Sequence, residues 1–142
     1  MPEAVNYETK LLEGLLSAIP LSDTGVEKRT FYDQENPVSG RGVLIVTLTN
    51  RDQPYPGLPI WFVSVSVRGV TFPSVDTEQS IIRQMYTDAL KSVQGWTAEG
   101  LTTAVGLKID GILPVTSAAI RGDADRFTFA VDFRLAMSGV SF

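Results

Sequence analysis

The chain has 142 residues, 44% of them hydrophobic and 20% charged, so it is long enough for one domain with a sizeable core. Its net charge is −4 and its twelve lysines and arginines are mostly scattered, which argues against a surface that binds nucleic acid. The lack of histidine and cysteine removes disulfides, thiolate chemistry and a Ser-His-Asp triad. With no apolar run of about 18 residues and no secretory signal pattern, we expect a soluble protein made in the cytoplasm.

The first predicted element is an amphipathic helix over Leu11–Ile19. Asn6 is placed to cap its start and Pro20 to end it, and the apolar residues between them repeat as adjacent pairs on one stripe. Val26–Tyr32 predicts only a weak strand, because three consecutive charged residues interrupt any alternation. Residues 33–42 are turn formers and predict a long exposed loop.

Two strands follow, separated by a second loop. The β-branched run Val43–Thr49 predicts a strand, and residues 50–59, with three prolines, predict a loop that cannot pair regularly. The next strand is predicted over Ile60–Pro73, where every second residue from Trp61 to Val67 is apolar, which is typical of a half-buried strand. The phase of this alternation changes at Gly69, where we therefore expect a bulge.

The most strongly amphipathic helix is predicted at Thr77–Val93. Asp76 and Gln79 have the spacing of a capping box at its start, and its apolar residues form one broad stripe. Gly95 is placed to end the helix in the left-handed conformation, and Trp96–Gly100 predicts a turn in which the indole folds back on the core.

The chain ends in a predicted hairpin. A strand around Ile112–Ile120 is joined through Arg121–Asp125 to a long, aromatic strand over Phe127–Met137, which alternates without a break. Together the elements predict an α+β fold, with a mostly antiparallel sheet of four to five strands and two helices packed on one face. We expect residues 1–142 to form a single domain.

No motif in the sequence indicates a chemical site. Asp123 and Asp125 lack the further oxygen ligands of an EF-hand, and Arg121–Asp123, although it spells the adhesion tripeptide, is better interpreted as a hairpin turn. Residues 40–42 (Gly-Arg-Gly) precede a strand and not a helix, so they lack a helix start that would bind phosphate. Asp76, Glu78 and Asp110 form no assignable acid pair. We therefore expect no catalytic, cofactor-binding or metal site.

The order of the elements resembles that of the tail terminator proteins of long-tailed bacteriophages, a group of lambda-like minor tail and tail completion proteins. The resemblance rests on the leading helix, the long loop, the strands at Val43–Thr49 and Ile60–Pro73, the helix at Thr77–Val93 and the closing hairpin, and it covers nearly the whole chain. It implies a structural virion protein that forms a hexameric ring on the tail tube, stops tube growth and presents a surface to the head connector.

The resemblance implies three kinds of partner: other copies of the chain, the tail tube protein and the head-connector protein. A ring needs an interface between two different faces of neighbouring copies, so projecting loops are the first candidates. We therefore select Arg41 from residues 33–42, and Arg51, Asp52 and Tyr55 from residues 50–59, as the candidate assembly interface. The alternatives are a tail tube or head–tail joining protein of the same layout, a small α+β ligand-binding module and, last, an enzyme that uses carboxylates alone.

Overall fold

The computed structural model describes residues 6–23, 25–30, 41–122 and 125–142, and these residues form three helices and five strands. The elements, in chain order, are α1 (Tyr7–Ser17), β1 (Val26–Arg29), β2 (Gly42–Asp52), β3 (Ile60–Thr71), α2 (Ser80–Gly95), α3 (Ala98–Val105), β4 (Ile109–Gly122) and β5 (Phe127–Ser138). Most of the predicted loop at 33–42 lies outside the described residues.

The five strands form one sheet in the order β1-β2-β3-β5-β4. Only β1 and β2 pair in parallel, and every other pair of neighbours is antiparallel. The predicted α+β fold with a mostly antiparallel sheet of four to five strands is confirmed. The structure adds a third helix, α3, which begins within the predicted turn at Trp96–Gly100.

The main core lies between one face of the sheet and the three helices. Leu44 and Val46 of β2 face this core together with alternate residues of β3 and β5, and the apolar stripes of the helices pack against them. We call this side of the sheet the helix face and the other side the open face. On the open face, Val43, Ile45 and Val70 form a smaller buried cluster with Phe72.

Several predicted details of the core are confirmed. The carboxamide oxygen of Asn6 accepts a hydrogen bond from the Thr9 amide at 3.0 Å and so caps α1. Trp96 folds back on the core, where its indole N–H donates to the Ala18 carbonyl at 3.2 Å and its ring packs edge-to-face on Phe133 at 5.6 Å.

Gly14 lies where α1 approaches α3, since a Cβ there would stand 2.7 Å from the Val105 Cα.

The bulge predicted at Gly69 is wrong. Gly69 pairs in regular register with Leu44 on one side and Phe129 on the other. The apolar phase changes because Val70 packs into the small cluster on the open face, while Gly69 keeps its place on the helix face. The missing side chain is replaced by the Phe129 ring, whose Cε1 would lie 2.0 Å from a Cβ at this position.

Gly69→Ala should therefore lower the free energy of unfolding by about 1–3 kcal/mol, the usual range for overpacking a filled core. Chemical denaturation would measure the loss. Gly95→Ala is the matched control, because nothing lies within 4 Å of a Cβ built at Gly95, and alanine is the better helix former. Equal stability of the two variants would show that the Phe129 ring moves aside at no measurable cost.

The start of α2 also differs from the predicted capping box. The helix begins at Ser80, and Gln79 has a left-handed backbone (φ 63°) and makes no side-chain cap. Asp76 instead reaches the helix start from outside: its carboxylate accepts from the amides of Ile81 at 3.3 Å and Ile82 at 2.9 Å. The predicted partner of Asp76 was therefore wrong, although Asp76 does satisfy amides at the helix N-terminus.

The boundaries of two further elements were also predicted wrongly. Gly95 is the last residue of α2 but has no positive φ, so it does not close the helix in the predicted left-handed conformation. Residues 50–52, assigned by sequence to a loop, continue β2 after an irregularity at Thr49 and pair with Ser64, Val63 and Phe62. The loop between β2 and β3 is consequently shorter than predicted, spanning residues 53–59.

Candidate functional site: the Tyr55 loop and an arginine-lined depression

The structure brings together three of the four residues selected for the candidate interface. Arg51 and Asp52 are exposed at the end of β2, and Tyr55 follows in the β2–β3 loop with 60% of its surface exposed. Arg41 lies just before the other end of β2, about 30 Å from Arg51 at the usual rise per strand residue. Arg41 forms an ion pair with Asp23, and its amide donates to the Gly25 carbonyl at 3.2 Å. Arg41 therefore belongs to a different surface.

We call residues 53–59 the Tyr55 loop. Its tip is a tight turn in which the Leu58 amide donates to the Tyr55 carbonyl at 3.1 Å, with Pro56 and Gly57 at the two central positions. Gly57 has φ 89°, which matches the third position of a type II turn and explains the glycine. The side-chain amide of Gln53 donates to the Leu58 carbonyl at 2.6 Å across the loop. These bonds hold two large apolar side chains toward solvent, Tyr55 and the half-exposed Leu58.

The base of the Tyr55 loop is fixed to the sheet and to the C-terminal residues. The Gly139 amide donates to the Pro59 carbonyl at 2.8 Å, and the Trp61 indole N–H donates to the Val140 carbonyl at 3.1 Å. Phe142 packs edge-to-face on Trp61 at 5.6 Å. The loop thus projects from a rigid base, so little conformational freedom would be lost if it docked on a partner.

Charges of both signs surround this base. Arg51 Nη1 lies 4.0 Å from Glu8 Oε2, and both side chains are nearly half exposed, so the pair contributes less than about 1 kcal/mol. Asp52, beside Arg51, is exposed.

A charged group away from the loop has a shifted pKa: partial burial lowers the pKa of Lys28, whose ammonium donates to the Leu16 carbonyl at 3.1 Å. That bond ties β1 to the end of α1 and has a structural role.

A second candidate surface, which the sequence did not predict, lies on the open face of the sheet. Three exposed arginines, Arg68, Arg121 and Arg126, surround a depression of about 490 Å³. We call it the arginine depression. Within the described parts of the chain none of the three guanidinium groups has an ion pair or a hydrogen bond. Three of the twelve basic residues, which are mostly scattered along the sequence, therefore meet on this face.

The strand register explains how the arginine depression forms. Arg68 on β3 lies opposite Ala130 on β5, and Thr128, two residues earlier on β5, lies opposite Arg121 on β4. Two small residues of β5 therefore separate two long arginines on the flanking strands, which leaves a hollow over β5. Ile45 and Val70 add an apolar part to its lining. Asp132 also lines the depression and already has an interaction of its own.

Sequence reasoning missed this surface because it depends on pairing between distant strands. The position of Arg68 in the polar phase of its strand was visible, but its alignment with Arg121 was not. β4 shows two register irregularities, between Ile109 and Gly111 and between Leu113 and Ser117, so its alternation does not reveal which residues face outward.

The other motifs acquire structural roles or lie outside the described residues. The adjacent aromatic residues Trp61 and Phe62 of β3 point to opposite faces: Trp61 joins the main core and Phe62 lies beneath the Arg134 guanidinium at 5.6 Å. Asp123 lies outside the described residues. Among those described, no group of three or more Asp and Glu side chains is arranged to hold a metal ion, and no helix is long and apolar enough to cross a membrane.

The candidate site thus consists of a rigid apolar loop at one end of the sheet and, near the other, an arginine cluster that has no ion pair with any residue the structure describes. Those residues assemble no metal-binding group. Comparison of the sequence with protein-family models and with curated proteins finds no match to either.

Proposed function

We propose that the protein is a structural component of a phage tail, a tail terminator that forms a ring, hexameric in the resembled proteins, on the end of the tail tube. In this role it stops tube polymerisation and offers a surface to the head connector. Its partners are further copies of itself, the tube protein and the connector protein, and its place is the tail of the virion. The net charge of −4 favours a passage that does not retain DNA.

The observation that carries the proposal is the Tyr55 loop. A rigid, projecting loop that exposes an aromatic and an aliphatic side chain is suited to insertion into a neighbouring subunit. Hydrogen bonds within the loop fix its backbone, and Tyr55 and Leu58 are exposed to solvent. A projecting loop that meets a different surface of the next copy gives a heterologous interface, which can close into a ring.

The sheet edges support loop contacts over strand-to-strand pairing. β1 and β4 are the edge strands of the described sheet. β1 has only four residues, and β4 contains Pro114 and two register irregularities. Short, proline-containing and irregular edges pair poorly with another chain. Side-chain contacts through the Tyr55 loop are therefore the better basis for a ring.

Incubation of the protein with its cognate tail tube subunits as they polymerise should restrict tube length, which electron microscopy would measure. An Arg51→Glu and Tyr55→Ala double variant should lose most of this effect, because it removes the exposed aromatic ring and replaces the Arg51–Glu8 ion pair at the base of the loop with two like charges. Arg83→Glu is the matched control, since Arg83 is an exposed cation on α2 at the helix side of the sheet.

Tubes of unrestricted length in the presence of the unaltered protein would contradict the terminator function. Full restriction by the double variant would leave that function in place and remove only the Tyr55 loop as the contact. A protein that stays monomeric in dilute solution agrees with the proposal, because modest, partly polar interfaces assemble only at high concentration or on a template.

A further inference from the structure

We infer that the arginine depression is the receptor for the Tyr55 loop of a second copy of this chain, so that the two surfaces form the head and tail of one repeated contact. The inference rests on the proposed ring and names the two surfaces that would build it. Its occupant is a segment of defined chemistry: an exposed tyrosine and leucine, with the oppositely charged Arg51 and Asp52 at the base of the loop.

Charge is the first argument. The chain carries −4 in total, and subtracting the three positive charges of Arg68, Arg121 and Arg126 leaves −7 for the rest of the molecule. Asp132 also lines the depression, so its four charged side chains sum to +2 and the rest of the chain carries −6. The depression is thus a basic site on an otherwise acidic protein. The rest of a second copy is acidic overall, which favours association of unlike faces and disfavours contact between two depressions.

Shape and polarity give the second argument. The depression combines guanidinium groups at its rim with Ile45, Val70 and Ala130 in its lining. Such a surface fits a partner that carries apolar side chains beside a carboxylate. The Tyr55 loop supplies the apolar side chains and Asp52, the last residue of β2 before it, supplies the carboxylate. A bare phosphate chain would leave the apolar lining uncovered.

Position gives the third argument. The Tyr55 loop precedes Ile60 at one end of β3, and Arg68 lies near the other end, about 26 Å away at the usual rise per residue. The loop therefore does not reach the depression of its own chain. Complementary surfaces at opposite ends of one molecule associate head to tail, which produces a ring when the rotation closes.

Cross-linking would test the contact, because the chain contains no native cysteine. A Pro54→Cys and Thr128→Cys double variant places one thiol on the loop beside Tyr55 and one in the depression. Within a chain these positions are about 30 Å apart, since Thr128 lies ten residues along β5 from Ser138, which pairs with Ile60. A short bismaleimide should therefore join different copies and produce a ladder of covalent oligomers.

The matched control is a Pro54→Cys and Arg83→Cys variant, in which the second thiol is exposed on the helix side of the sheet. It should give only monomers under the same conditions. Arg68→Glu with Arg121→Glu, added to the first variant, should reduce the ladder about ten-fold, because the carboxylates then face the acidic partner. A ladder no stronger than that of the control, or one unchanged by the two charge reversals, would overturn the inference.

Two further comparisons separate this inference from binding of phosphate by the depression and from the proposed function. Fluorescently labelled duplex DNA should neither bind the unaltered protein nor weaken the ladder; DNA binding that disappears with the two charge reversals would assign the depression to phosphate and overturn the inference. Failure of the ladder while tubes are still restricted in length would remove this contact and leave the proposed function standing. A ladder of covalent oligomers without any effect on tube length would support this contact and contradict the proposed terminator function.

Discussion

Phe133→Ala is expected to lower the free energy of unfolding by about 3–5 kcal/mol, the usual cost of removing a large aromatic side chain from a core. Phe133 is 1% exposed and packs edge-to-face on Trp96, whose indole is bonded to the Ala18 carbonyl at the end of α1. Loss of the ring would therefore leave a cavity where β5 meets two helices. Phe129→Ala should cost a similar amount, since Phe129 is 2% exposed and contacts both Tyr86 and Gly69.

Chemical denaturation at equilibrium would measure both losses. Thr128→Ala is the matched control, because Thr128 lies one position from Phe129 and on the open face, where it is only partly buried; its replacement should cost well under about 1 kcal/mol. If both phenylalanine variants lost less than about 1 kcal/mol, the core between the sheet and the helices would not hold the fold together in the way its packing indicates.

Asp76→Ala should have the second-largest effect, a loss of about 2–3 kcal/mol. The carboxylate is 2% exposed and accepts hydrogen bonds from three donors: the Ile81 amide, the Ile82 amide and the Thr71 hydroxyl, the last at 3.2 Å. Alanine would leave these buried donors without their acceptor, and it would remove a negative charge from the positive end of the α2 dipole.

Asp76→Asn separates these two contributions, because the carboxamide keeps one acceptor oxygen without the charge. We expect it to lose less stability than Asp76→Ala, and both losses can be measured by thermal or chemical unfolding. Glu78→Ala, at an exposed position two residues away, should change the stability little. If Asp76→Ala were as stable as Glu78→Ala, the bonds from Asp76 to the start of α2 would contribute nothing.

The fold was largely predictable from the sequence where periodicity is strong and local. The unbroken alternation from Phe127 to Met137 predicts β5 almost to the residue, and the paired leucines with Asn6 predict α1 and its cap. Both signals arise because one face of each element is buried against the same core, so the spacing of the apolar residues records the geometry directly.

The predictions failed where a local signal had two physical explanations. α3 was missed because it has only eight residues and contains Gly100 and several β-branched residues, although Thr97 caps it and Gly106 closes it at φ 79°. The change of phase at Gly69 indicated a bulge, but in the structure Val70 is buried on the open face while Gly69 leaves room for Phe129.

The candidate site, like the fold, was only partly predictable from the sequence. Prolines and glycine made the Tyr55 loop visible in the sequence as an exposed, stiffened segment, and Tyr55 is exposed as that interpretation requires. The arginine depression was not visible, because Arg68 and Arg121 are far apart in the chain and meet only through their shared neighbour β5. Arg41, selected from the loop before β2, lies at the opposite end of that strand from Arg51 and Tyr55.

The central claim, that copies of this chain close into a ring on the end of a tail tube, is tested most directly by electron microscopy of the protein mixed with its cognate tube subunits. Averaged images should show tubes of restricted length, each with a closed, rotationally symmetric ring of this protein at one end. Tubes of unrestricted length with bare ends, beside protein that remains monomeric at every concentration or grows into open filaments, would contradict it.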